Sequence, residues 1–106
     1  MAKQISENAS IAFYNNRKFK QDNTLVKVEN LGNNKIVTSM YLWGNKIAWK
    51  DNEGTHFTLC GWHTRTTKDR LSALGIKLYQ RNGQLYWSVN RQTDKPIDSY
   101  SIYTWN

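Results

Sequence analysis

Apolar residues first recur with a clear period over residues 4–17 (QISENASIAFYNNR), where Ile5, Ala9, Ala12, Phe13 and Asn16 fall at helical spacing. With Ser6 or Asn8 available as a cap, this segment predicts a helix that lays its stripe across a sheet. Beyond it the period changes to two. TLVKVEN (24–30) puts Thr24, Val26 and Val28 on one face, with Lys27 and Glu29 on the other side or at the edge, and Gly32-Asn33-Asn34 turns the chain into KIVTSMYLW (35–43). Gly44-Asn45, between Trp43 and Lys46, is a two-residue link of the kind that closes tight hairpins. KIAWK (46–50) then alternates with Ile47 and Trp49 inward, Asp51-Asn52-Glu53-Gly54 turns again, and THFTLCGW (55–62) follows. These segments predict an antiparallel meander of four strands. Segment 35–43 is apolar on both faces, with Val37, Tyr41 and Trp43 opposite Ile36, Met40 and Leu42. Either a helix covers each side of that strand or aromatic rings face solvent.

A second, shorter helix is expected over about 67–74. Thr66-Thr67-Lys68-Asp69 has the form of a capping box, Leu71 and Leu74 give the buried stripe, and Gly75 is the expected stop. IKLYQR (76–81) and QLYWSV (84–89) flank Asn82-Gly83, the strongest short-range hairpin signal in the chain. The tail after Val89 is expected to add one edge strand over about 97–105. Together the segments predict a single α+β domain over residues 1–106. Its twisted antiparallel sheet has about five to seven strands, with the N-terminal helix and the short helix near 67–74 on one face.

If Asn82-Gly83 is a two-residue turn, the register follows: Arg81 faces Gln84, Tyr79 faces Tyr86, Leu78 faces Trp87 and Lys77 faces Ser88. Ile76, Leu78, Leu85, Trp87 and Val89 then form a core face. Lys77, Tyr79, Arg81, Gln84, Tyr86 and Ser88 form an outer face with two cations, two rings and no carboxylate. Composition strengthens the reading of that outer face. Of the 106 residues 39% are apolar and 13% aromatic, and 15 Lys and Arg stand against eight Asp and Glu for a net charge of +7. Rings that each bury roughly 150–250 Å² supply a core, which excludes intrinsic disorder. The charge favours an anionic partner. Cations neutralise phosphates, and exposed rings offer bases a π-face, so the outer face points to nucleic acid, DNA or RNA. The second helix start adds Arg65, Thr66, Thr67, Lys68 and Arg70 around backbone N–H groups that favour anions.

Other chemistry has less support. His56, Cys60 and His63 fall within eight residues, but a structural zinc site needs four ligands and no fourth is near. No phosphate-binding glycine loop occurs and the carboxylates are dispersed, so no catalytic residue, metal or cofactor is expected and the chain does not read as an enzyme. No apolar run approaches the roughly 20 residues of a membrane span, no leader pattern opens the chain, and a single cysteine suits a reducing compartment.

SMYLWGNKIA (39–48), GWHTRTTKDRLSALGI (61–76), LYQRNGQLYW (78–87) and RKFKQDNTLVKV (17–28) resemble a group of small proteins of tailed bacteriophages. That group shares a Leu-x-Gly-Asn-x-Ile-Ala hairpin, matched by Leu42, Gly44, Asn45, Ile47 and Ala48. It also shares a Gly-Trp-x-Thr-x-Thr-Thr-Lys-x-Arg-Leu segment, matched by Gly61, Trp62, Thr64, Thr66, Thr67, Lys68, Arg70 and Leu71. The resemblance implies a phage accessory protein made in the cytoplasm of an infected bacterium, and implies no activity. The expected function is a basic module for single-stranded nucleic acid with little sequence preference. One alternative is an inhibitor of a host defence or housekeeping protein, with Tyr41, Trp43, Tyr103 and Trp105 as interface residues, since Trp and Tyr dominate such contacts. Another is a sponge for small anionic nucleotides seated at the second helix start. A homodimer is compatible with any of these.

Overall fold

The first helix begins and ends earlier than the expected 4–17. In a computed structural model, which describes residues 2–61, 64–89 and 93–105, α1 spans Ala2–Tyr14 and buries Ile5, Ala9, Ala12 and Phe13. Ser6 is therefore an interior helix residue rather than a cap. Asn16 leaves the helix with a left-handed φ of 54°, and the Arg17 N–H closes on the Ala12 carbonyl at 2.8 Å. The short polar Asn side chain tolerates that conformation, so the helix stops there and Asn16 accepts instead from the Thr38 hydroxyl at 2.6 Å.

Five strands follow in a meander: β1 (Phe19–Gln21), β2 (Thr24–Asn30), β3 (Ile36–Leu42), β4 (Asn45–Asp51) and β5 (Gly54–Phe57). The three-residue β1 adds one strand to the four expected, being too short to show alternation. The β3–β4 turn is Trp43-Gly44, with φ of 50° and 82°, so Asn45 already pairs with Leu42. Two residues with positive φ give the twist that a two-residue hairpin turn requires. The register shifts between Met40 and Tyr41, so Tyr41 pairs with Lys46 and Met40 with Ala48. That irregularity buries both Ile47 and Ala48 and turns Trp49 away from the core, correcting the clean alternation expected for 46–50. β5 ends at Phe57, and Thr58, Leu59 and Cys60 leave the ladder, shortening the strand expected over 55–62.

The second helix, α2 (Arg65–Ala73), is capped by Thr64, whose hydroxyl accepts the Thr67 N–H at 3.1 Å. Thr66 thus lies inside the first turn rather than at the cap position expected for it. Gly75 has φ of 96° just past the helix end, the left-handed stop expected there. β6 (Lys77–Arg81) and β7 (Gln84–Ser88) pair in the expected register across Asn82-Gly83, with φ of 51° and 80°. The tail supplies two strands rather than one. β8 (Asp94–Ile97) extends the hairpin, and β9 (Tyr103–Trp105) crosses to pair with β5.

The result is an α+β fold with a six-stranded sheet, β1-β2-β3-β4-β5-β9, and a three-stranded one, β6-β7-β8. Both are antiparallel throughout. One buried cluster joins them to the helices: Phe57 on the larger sheet meets Trp87 edge-on at 5.0 Å and Trp105 at 5.7 Å, and Trp105 stacks on Phe13 of α1 at 6.5 Å. Val89, placed in the core by its position after β7, is 44% exposed because the strand ends before it. Among the described residues no helix is long and apolar enough to cross a membrane.

Candidate nucleic-acid interface

Register alone brings the expected hairpin residues together. Lys77, Tyr79 and Arg81 alternate along β6 and Gln84, Tyr86 and Ser88 along β7, with Tyr79 opposite Tyr86. The two rings stack at 5.4 Å with 19° between planes. Such a pair stabilises the hairpin, and both rings are half-buried. β8 changes the electrostatics of this patch. Its pairing sets Asp94 beside Ser88, and the Tyr79 hydroxyl donates to Asp94 Oδ2 at 2.6 Å. The expected absence of a carboxylate on this face is therefore corrected, because the additional strand β8 delivers one. The hydrogen bond to Asp94 raises the Tyr79 pKa above the usual phenol value.

The start of α2 divides its candidates. Arg65 is exposed, while Thr66 and Lys68 are half-buried. Thr67 and Arg70 are 0% and 1% exposed, which removes both from any surface contact. The Arg70 guanidinium points inward, donating from Nε to Thr24 Oγ1 at 2.8 Å, from Nη1 to Ser6 Oγ at 2.7 Å and from Nη2 to Asn23 Oδ1 at 3.1 Å. It ties α2 to α1 and to the β1–β2 turn. Burial lowers its pKa and the neighbouring Asp69 carboxylate opposes that shift. A hollow of about 380 Å³ at the junction of α1 and α2 is lined by Ser6, Glu7, Arg65, Asp69, Ser72 and Ala73. Glu7 and Asp69 contribute two carboxylates to that lining, and the Thr64 cap hydroxyl accepts the Thr67 N–H.

The four expected protein-contact residues do not form one surface. Tyr103 and Trp105 pack on the core through Phe57, Trp87 and Phe13. Trp43 stands 51% exposed at a hairpin tip, and Tyr41 lies half-buried on the opposite face of the six-stranded sheet, under the Lys27 ammonium at 5.6 Å. His56 is held from both sides, by Asp51 Oδ1 at 3.1 Å on Nε2 and by Thr104 Oγ1 at 2.9 Å on Nδ1. Cys60 Sγ donates to the Lys46 carbonyl at 2.8 Å, and burial raises its pKa, which disfavours the thiolate. His63 and Trp62 lie outside the described residues. Among the described residues no group of three or more His, Cys, Asp and Glu could hold a metal ion.

The model of one protein family, the Kyanoviridae Gp96 protein, matches residues 2–105. The chain belongs to that family. Its membership in the Kyanoviridae Gp96 family makes it a small bacteriophage protein, the origin that the resemblance implied. No curated protein and no solved structure matches it.

The surface of this Gp96-family chain that sequence patterning does not reveal is the outer face of the six-stranded sheet. Inner-face residues such as Thr24, Thr38, Phe57 and Trp105 join that sheet to the helices and the smaller sheet. The opposite face carries Lys20, Leu25, Lys27, Tyr41, Lys46 and Trp49 by strand alternation. The double-sided apolar pattern of 35–43 is the available signal. The apparent inward position of Trp49 in an unbroken alternation hides its partner.

Proposed function

We propose that this phage protein binds single-stranded nucleic acid with little sequence preference, in the cytoplasm of the infected bacterium and without catalysing a reaction. The observation that carries the reading is the hairpin patch, where a stacked tyrosine pair lies between Lys77 and Arg81 on a protein of net charge +7. The cations suit a phosphate backbone, and a ring face suits an unpaired base of any identity, which is why the preference for sequence is weak. Asp94 lies at the β8 side of the patch and leaves the Arg81 end as the approach for a phosphate. Gel-shift titration of the purified protein with oligonucleotides of mixed sequence, single- and double-stranded, tests this. Retardation of single strands at about 50 mM salt, weakened for Tyr79→Ala/Tyr86→Ala, is expected. No retardation of any nucleic acid at that salt, where electrostatic affinity is strong, refutes it.

A further inference from the structure

Across the outer face of the six-stranded sheet, strand pairing aligns side chains into rows. One row runs Lys20, Leu25, Tyr41, Lys46 over β1 to β4. The next runs Lys27, Ser39, Trp49, His56, Thr104 over β2 to β9. Neither row holds a carboxylate. Glu29 and Asp51 lie one step further along the strands, and Asp51 is engaged by His56. The cations are also placed relative to the rings: Lys27 Nζ stands 5.6 Å from the Tyr41 centroid and Lys46 Nζ 5.0 Å from that of Trp49. Tyr41 and Trp49 are half-buried on adjacent strands, on either side of the register shift. His56 adds a third ring 5.4 Å from Trp49, fixed in place by Asp51 and Thr104.

We propose that this face is a stacking platform for a single nucleic-acid strand, with Tyr41 and Trp49 taking bases and Lys20, Lys27 and Lys46 taking phosphates. The proposal rests on the single-strand binding function and gives that function a second, larger surface, facing away from the hairpin across the shared core. The occupant follows from charge. The two rows present three ammonium groups and no carboxylate, which repels a basic peptide and attracts a polyanion. The strand would cross the β-strands, because the rows do. The rows cross four and five strands, which at about 4.8 Å per spacing gives paths of about 14 and 19 Å. A lysine poised over a ring can swing to a phosphate and leave the ring face to a base, so the platform is covered by its own cations when empty.

Fluorescence anisotropy with a labelled oligothymidine of about 15 residues tests the platform, comparing the unaltered protein with Tyr41→Ala/Trp49→Ala and with Tyr79→Ala/Tyr86→Ala. Removing each stacked ring is expected to weaken binding about 5- to 150-fold at every salt concentration. Tyr41→Phe/Trp49→Phe, which keeps the π-faces, should bind within a few-fold of the unaltered protein. Lys27→Gln/Lys46→Gln covers the case in which the alanine variant does not fold, and it should lower the slope of log affinity against log salt by about 0.7 for each phosphate left without its cation. If the unaltered protein binds and a folded Tyr41→Ala/Trp49→Ala variant binds equally well, the platform is refuted while the function stands. If the unaltered protein does not bind, both fall together.

Discussion

Replacing Arg70 by Ala separates a structural arginine from a phosphate-binding one. The guanidinium donates to three oxygens, on α1, in the β1–β2 turn and on β2. Hydrogen bonds to charged groups contribute about 1.5–3 kcal/mol each, and buried hydroxyls left without their donor cost about 1–3 kcal/mol each. Returning the guanidinium to water in the unfolded chain offsets part of that sum, since its burial costs several kcal/mol. The net loss should be about 3–5 kcal/mol, the upper end for a single substitution, because neutral oxygens lose their donor and the truncated side chain leaves a cavity. At about 4–8 °C per kcal/mol for a domain near this size, thermal unfolding followed by circular dichroism should show a fall of roughly 12–40 °C. Arg70→Lys should recover little, because a point-like ammonium cannot address three acceptors in one plane. If Arg70→Ala melts within a few degrees of the unaltered protein while losing nucleic-acid affinity, the buried role is wrong and Arg70 belongs to the surface site.

Gly75→Val places a β-branched residue at φ of 96° and should cost about 1–2 kcal/mol. Because no atom lies within 4 Å of the added Cβ, that cost is conformational, and an unchanged melting temperature would refute the cap. Burial alone would raise the Asp51 carboxyl, but hydrogen bonds from His56 and from the backbone of Glu53 and Gly54 bring it below the usual range. The Ser101 hydroxyl, with the backbone N–H groups of Ser101 and Tyr100, does the same to Asp98. A depressed carboxyl contributes stability that is complete above the unfolded value of about 4 and is lost as pH falls through the folded one. Melting temperature should therefore drop below about pH 4, and less steeply for Asp51→Asn/Asp98→Asn; parallel acid profiles would contradict these hydrogen bonds.

The parts of the fold legible in the sequence are those governed by local chemistry. Asn82-Gly83 dictates a turn that only positive φ satisfies, so the β6–β7 register and its Tyr79–Tyr86 pair can be read residue by residue. Gly75 likewise marks the end of α2. Elements set by distant contacts are not legible. The irregularity at Met40 and Tyr41 shows in no alternation pattern and moves Trp49 from core to surface. β8 carries Lys95 and Pro96, poor strand formers held by pairing with β7, and its Asp94 alters the hairpin patch. Arg70 resembles a surface cation because composition cannot show that Ser6, Asn23 and Thr24 converge on it from 46 to 64 residues away. For the candidate site, sequence supplies the hairpin residues; of the two rings on the larger sheet it singles out Tyr41, as a protein contact, and places Trp49 in the core.

The most direct test of the central claim is the salt dependence of single-strand affinity for the unaltered protein. An anisotropy titration repeated between about 50 and 200 mM salt gives the slope of log affinity against log salt, near 0.7 per neutralised phosphate on a single strand. Engagement of about two to four phosphates by lysine or arginine predicts a slope of about −1.4 to −2.8, with residual affinity from stacking at the highest salt. Absence of binding at about 50 mM salt, or an affinity indifferent to salt, would contradict the claim.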